Sequence, residues 1–278
     1  VFTNFSTALS AIRAAGGAMP LDHRQSIKEI VRHSLFRLGL NGVIDVARRS
    51  RGRDTEHMEK ASLDQVFSNI YAKGVWVEHE DQASLSGVGS VASATDDLRV
   101  QLSSFLSSVN CRRLVDIGCG DFSWMKNVHG DFHYLGIDIV QSVIDANNTM
   151  YADEKRRFVC LDATKQLIEP WGDVAICREV LFHLSFKNAF QLLRNIRAAG
   201  FKYILLTSDS SIWFNSDIRD GDFRRINLLK SPFWLSSPES QLADDRVFRG
   251  RVIGVWSASA LEGASLGVLR SKPQRSAG

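Results

Sequence analysis

The segment Leu114-Val-Asp-Ile-Gly-Cys-Gly-Asp121 sets an aliphatic run directly before an acidic residue and a Gly-x-Gly turn. Only glycine lets the main chain approach a bound nucleotide without a Cβ in the way, so the pattern points to a nucleotide cofactor at the end of a parallel strand. A dinucleotide fingerprint requires a third glycine where this chain has Ser123, which argues against a nicotinamide oxidoreductase. Asp138 ends the next apolar run about twenty residues after the glycines, where a carboxylate can accept hydrogen bonds from both ribose hydroxyls. A third run ends in Leu161-Asp162-Ala163. A fourth, Asp173 to Leu184, carries Arg178, Glu179 and His183 at its end.

The elements that would position these residues alternate. A helix through Leu102, Phe105, Leu106 and Val109 precedes a strand over 113–117. Further strands are expected at 133–138, 157–161, 173–177, 202–207 and 252–257, with helical stretches such as 185–199 between them. Near-continuous aliphatic strands separated by helices imply a parallel sheet covered on both faces. The expected fold is therefore α/β: a Rossmann-like, doubly wound, mostly parallel seven-stranded sheet with an N-terminal helical appendage. Upstream, Ile27, Ile30, Val31, Leu35 and Leu38 recur at helical spacing, and Arg48 to Lys60 reads as a polar linker. Arg48, Arg49, Arg51 and Arg53 suit a solvated linker or helix end, with a phosphate or membrane contact as the alternative. A second amphipathic helix, capped by Ser62, carries Leu63, Val66, Phe67, Ile70 and Tyr71 and stops at Gly74. The stretch 84–93 is a Ser/Gly-rich loop, read either as a plain connector or as a source of N–H groups for a carboxylate. Pro232 and Pro238 interrupt the polar and aromatic segment 209–249, and the end from Leu261 looks frayed. The expected division is 1–60 appendage and linker, 61–260 catalytic domain and 261–278 tail.

Composition bounds the function. The chain has 278 residues, 44% of them hydrophobic, enough for one large core and an appendage. A net charge of +3 with dispersed basic residues gives no case for nucleic acid. Cys111, Cys119, Cys160 and Cys177 lack a Cys-x-x-Cys pair, which suggests neither zinc nor disulfides and fits a reducing compartment. No apolar run reaches the roughly 20 residues needed to span a bilayer, so a cytoplasmic location is expected. Because the chain opens on Val1, a processed, unusual or truncated start is expected, with Met19 a second candidate.

Asp116-x-Gly118-x-Gly120 resembles motif I of class I S-adenosylmethionine-dependent methyltransferases. In that family the acidic residue at the position of Asp162 takes the adenine amino group, and the segment Asp173 to Leu184 resembles motif IV, beside the transferable methyl. The resemblance covers roughly 74–257. Tyr71-Ala-Lys-Gly74-Val-Trp76, Ser86-Gly87-Val-Gly89-Ser90 and Asn215-Ser-Asp217-Ile-Arg-Asp-Gly221-Asp222-Phe223-Arg224 resemble marks of a bacterial group within it. It implies S-adenosylmethionine as cofactor and S-adenosylhomocysteine as product. The implied cofactor site contains Asp116, Gly118, Cys119 and Gly120 from motif I, with Asp138 and Ile139 from the second strand end. Asp162, Ala163 and Arg178 complete the later strand ends, and Gly89 and Ser90 come from the upstream loop.

Methyl transfer from a sulfonium is an in-line displacement that asks mainly for alignment in a dry pocket. A neutral hydroxyl acceptor also needs a base, and His183 is the candidate; its other reading is a helix-start residue packing beside Leu181 and Leu184. Arg178 and Glu179 are expected to pair with each other, the cofactor or a polar neighbour. The segment after the fifth strand supplies the expected acceptor side: Asp209 with a catalytic part, and Trp213, Asn215, Asp217, Asp222 and Arg224 as substrate contacts. Such groups suit a sugar-like ligand, or else a lid whose polar residues cap turns. No metal is expected. The leading function is O-methylation of a small molecule or glycan; N- or C-methylation and a catalytically silent cofactor-binding partner remain alternatives. The N-terminal helices are expected to cover the sheet, form a homodimer contact or close over substrate.

Overall fold

The computed structural model describes residues 23–50, 55–58, 61–77 and 84–262. Seven strands form one sheet in the order β3-β2-β1-β4-β5-β7-β6. They are β1 (Arg113–Ile117), β2 (His133–Asp138), β3 (Arg156–Cys160), β4 (Val174–Cys177), β5 (Tyr203–Asp209), β6 (Ser240–Ala243) and β7 (Arg251–Ser257). The first five pair in parallel, and β7 lies antiparallel to both β5 and β6. The order reverses at β1, between β2 and β4, which opens a crevice beyond the strand C-termini where such sheets bind ligands.

The helices are α1 (His23–Arg37), α2 (Asn41–Arg49), α3 (Leu63–Ala72), α4 (Ala92–Ser108), α5 (Gln141–Tyr151), α6 (Phe186–Ala198) and α7 (Ala258–Glu262). One face of the sheet packs against Val66, Phe67 and Ile70 of α3 and Leu193 and Ile196 of α6. The other packs against Leu98, Leu102 and Leu106 of α4. β1 and β4 are almost wholly buried, as strands covered on both faces must be.

Several boundaries differ from the sequence reading. The α4 helix begins at Ala92, inside the expected Ser/Gly loop, and the loop itself turns through Val88–Ser90. The expected polar linker starts inside a helix: Arg48 and Arg49 close α2, and Glu56–Met58 forms a further turn. Arg51 and Arg53 lie outside the described residues, as do 1–22 and the tail from 263. The apolar periodicity of α1 does not give a uniformly buried face, since Val31 and Leu38 are exposed. β6, absent from the sequence reading, extends the sheet beyond β7.

Candidate functional site

A cleft opens at the C-terminal ends of β1, β2, β3 and β4. It gathers Asp116, Gly118, Cys119 and Gly120 from the β1 end, Asp138 and Ile139 from the β2 end, Asp162 and Ala163 after β3, and Arg178 and His183 after β4. Ser90 reaches it from the loop before α4. Leu63 and Phe67 of α3, with Leu161 and Leu192, give it apolar wall.

The glycine turn is held from several sides. Gly118 and Gly120 have φ of 75° and 56°, the left-handed region that favours glycine. A Cβ on Gly118 would collide with the Val180 side chain, and one on Gly120 with Ser86 Oγ. The glycines thus allow loops of the protein to close on the turn as well as leaving cleft surface free. The Asp138 carboxylate accepts from the N–H of Gly120 and of Val140, each at 3.0 Å. It therefore holds the turn from the β2 side while facing the cleft. Burial raises its pKa, against the two N–H donors. Asp116 is buried with its Oδ2 2.8 Å from the Tyr134 hydroxyl, and burial pushes its pKa up to about 7. Asp162 Oδ1 accepts from the Thr164 N–H and hydroxyl at 3.0 and 2.6 Å, and Oδ2 lies 3.0 Å from Lys165 Nζ.

At the β4 end Arg178 and Glu179 lie 3.8 Å apart as an ion pair, and each also meets further polar neighbours. Arg178 makes two bonds to Asp244, at 3.0 and 2.9 Å, donates to the Gly89 carbonyl at 2.8 Å and lies over the Trp124 ring. Glu179 pairs with Arg251 as well, which also bonds Asp244. Burial pushes the Glu179 carboxyl up, but the two guanidinium groups outweigh it and hold it below the usual value. Glu179 sits at φ 62°, a conformation that costs a non-glycine residue about 1–3 kcal/mol and clusters at functional sites. Gly89 lines none of the cleft: its role is the carbonyl bond to Arg178, and a Cβ there would collide with Glu179. In the same loop the Leu85 N–H donates to the Asp121 carboxylate at 2.7 Å, and the Ser90 N–H bonds the Gly87 carbonyl.

His183 faces the cleft between two rings, 4.8 Å from Trp76 and 5.4 Å from Phe223 by centroid. Its Nδ1 lies 3.1 Å from the Asp222 carbonyl oxygen. A carbonyl can only accept, so this contact fixes the proton on Nδ1 and leaves the Nε2 lone pair to other partners. Burial lowers its pKa, partly offset by Glu179, so the ring is neutral at pH 7.

The expected acceptor segment is brought near this edge, but its side chains are engaged elsewhere. Asp209 is fully buried and bound to Arg225 at 3.1 Å and to the Ser211 N–H and hydroxyl, outside the cleft. Asn215 spans backbone groups of Asn227 and Ser231. Asp217 accepts from the Phe186 N–H at the start of α6. Arg224 donates to the carbonyls of Ser216, Leu181 and Leu184. Asp222 pairs with Arg48, and the half-exposed Trp213 packs on Phe214. These residues build the loop under His183 and are not arrayed as ligand contacts. Residues outside the expected set do line the cleft: Tyr71, Trp76, Ser86, Trp124, Thr164 and Glu179. Tyr71 and Trp76 had a signal in the Tyr-x-x-Gly-x-Trp pattern; Trp124 and Thr164 had none beyond adjacency to motif residues.

The donor set fits S-adenosylmethionine. The cofactor carries a net positive charge, a ribose diol and an adenine, and the cleft offers the carboxylates of Asp116 and Asp138 beside an apolar wall. Residues 115–199 match the family described as methyltransferase domain. Among solved structures, the chain is similar to magnesium protoporphyrin IX methyltransferase from Synechocystis PCC 6803 with bound SAM. That match has 10% identity, 71% of this chain and 98% of that one covered, and a TM-score of 0.49. It is also similar to human N-acetylserotonin methyltransferase in complex with SAM, at 17% identity, 63% and 50% coverage and a TM-score of 0.44. A TehB-like SAM-dependent methyltransferase from Corynebacterium glutamicum matches at 18% identity, 56% and 85% coverage and a TM-score of 0.41. No curated protein matches the chain. The family match over 115–199, the sheet order and the carboxylate-lined cleft at its switch point together support a methyltransferase that uses S-adenosylmethionine.

Proposed function

We propose that the enzyme methylates a hydroxyl of a small-molecule or glycan acceptor, with His183 as general base. The observation that carries this is the cleft-facing His183 ring whose Nδ1 meets a carbonyl. When bound, S-adenosylmethionine supplies an electrophilic methyl on a sulfonium. We assign Asp138 to the ribose hydroxyls, and Asp162 with the apolar wall from Leu63, Phe67 and Leu161 to the adenine, all of which line the one cleft. Asp116 adds negative charge within the same cleft. His183 takes the acceptor proton on Nε2 as the new bond forms, and the resulting imidazolium is stabilised by the Asp222 carbonyl and by Glu179. Trp76 and Phe223 offer aromatic faces on either side of the base, suited to a flat ring or the C–H face of a sugar. The aromatic wall supports the acceptor class better than the polar segment 209–225 does, because those polar groups are bound to the protein itself. We take 61–260 as the catalytic domain and assign it to the bacterial group marked by the Ser-Gly-x-Gly-Ser loop.

The test is release of S-adenosylhomocysteine across a panel of alcohols, sugars, amines and carbon acids. A hydroxyl acceptor should turn over, and His183→Asn should lower kcat by roughly 100-fold or more without changing cofactor affinity. Turnover confined to amines, or unchanged kcat in the variant, would overturn the reading.

A further inference from the structure

The N-terminal helices make direct contact with the loop that carries the partner of His183. Arg48 on α2 makes two bonds to the Asp222 carboxylate, at 2.8 and 2.9 Å, and both side chains are largely shielded from water. Asp45 on the same helix pairs with Arg219. From α1, Arg32 donates to the Phe223 carbonyl at 3.2 Å and to Ser216 Oγ at 3.1 Å, and His33 Nδ1 accepts the Asp217 N–H at 3.0 Å. One short loop, 216–223, is thereby tied to two helices far away in sequence.

That loop is also the support of His183. The Gly221 N–H donates to the His183 carbonyl at 2.8 Å, the Arg224 N–H to the Phe182 carbonyl at 3.0 Å, and the Asp222 carbonyl receives the His183 ring at 3.1 Å. Asp222 therefore joins the two sets of contacts: its side chain answers to Arg48, its backbone to His183. Both bonds come from one nitrogen, Arg48 Nη2, which reaches the two oxygens of the carboxylate, and shielding makes such a pair stronger than one in open solvent.

We propose that α1 and α2 act as a clamp on the active site, with Arg48 a positioning residue that holds the Asp222 carbonyl against His183 and so keeps the ring in the Nδ1–H form with Nε2 open to the acceptor. This rests on the reading of His183 as the base. It gives the N-terminal region a part in acceptor chemistry and none in cofactor binding, since none of its residues line the cofactor cleft among those described.

The experiment follows the ring itself and needs no acceptor. Full-length protein labelled with ¹⁵N-histidine is examined at pH 8 with S-adenosylhomocysteine bound, and His183→Asn identifies the resonance. The wild type should show one Nδ1–H tautomer. Arg48→Met should shift His183 toward a mixture with the Nε2–H form, Arg48→Lys should restore part of the wild-type signal, and calorimetry should find S-adenosylhomocysteine affinity within about threefold of wild type. Glu179, Asp222 and Arg224, the charged groups that act on His183, are unchanged in these variants. An unchanged tautomer in Arg48→Met would show that the backbone bonds alone hold the ring, and would overturn the proposal. If Arg48→Met does not fold, Asp45→Asn loosens the same loop through Arg219 and must give the same shift in weaker form; no shift there overturns it equally. The base reading fails separately: His183→Asn would then keep full kcat while the tautomer shift in Arg48→Met still appeared.

Discussion

At the residue scale, Asp116 is a buried carboxyl of the cleft whose charged form is disfavoured. Its pKa of about 7 comes from burial, with the Tyr134 hydroxyl working against it. A carboxyl whose folded pKa lies above its unfolded value binds its proton more tightly when folded. Its contribution to stability is therefore full below the unfolded value near 3.8 and is lost as pH rises through about 7. The cofactor-free protein should show this slope in thermal melts, and Asp116→Asn should flatten it; equal slopes in the two proteins would refute the assignment. Not every residue at this scale could be read from sequence. Asp116, Gly118, Gly120 and Asp138 were legible because their spacing relative to strand ends carries meaning. Asn215, Asp217 and Arg224 were not, since an acid, an amide or an arginine looks the same in sequence whether it meets a ligand or a carbonyl. Only its partners distinguish the cases, and Arg224 meets three carbonyls.

At the scale of elements, the parallel strands announced themselves through unbroken aliphatic runs, while β6 did not, with one buried residue in four. What ties the elements at the active edge is the cluster of Arg178, Glu179, Asp244 and Arg251, joining the β4 end, the residue after β6 and the start of β7. Only half of it was legible: Arg178 and Glu179 at a strand end called for partners, but Asp244 and Arg251, 66 and 72 positions further on, each resemble a surface charge in sequence. Both guanidinium groups are buried. Arg178→Met would leave Asp244 short of its main partner and free the Gly89 carbonyl. Breaking a buried pair this way costs roughly 3–5 kcal/mol, so chemical denaturation should show a loss of that order; a loss under about 1 kcal/mol, the range of surface pairs, would contradict the burial of the cluster.

At the scale of the molecule, the strand ends supply the polar side of the cleft, and elements laid over the sheet supply its apolar wall and close it. α3 brings Leu63, Phe67 and Tyr71 to the cleft, Trp76 follows it, and α1 and α2 brace the 216–223 loop. No described helix is long and apolar enough to cross a membrane. This division explains why sequence identified the donor more readily than the acceptor. The proposed donor residues sit at strand ends in fixed order, whereas the acceptor wall we propose comes from segments whose packing is set by long-range contacts. The central claim is that the cleft from Asp116 to Asp162 holds S-adenosylmethionine with its ribose on Asp138. Calorimetric titration of the full chain with S-adenosylmethionine, beside Asp138→Ala, tests it most directly. The wild type should bind one equivalent, and the variant should bind at least 10-fold more weakly, as loss of about 1.5–3 kcal/mol from a charged hydrogen-bond acceptor requires; equal affinities, or no binding by the wild type, would contradict it.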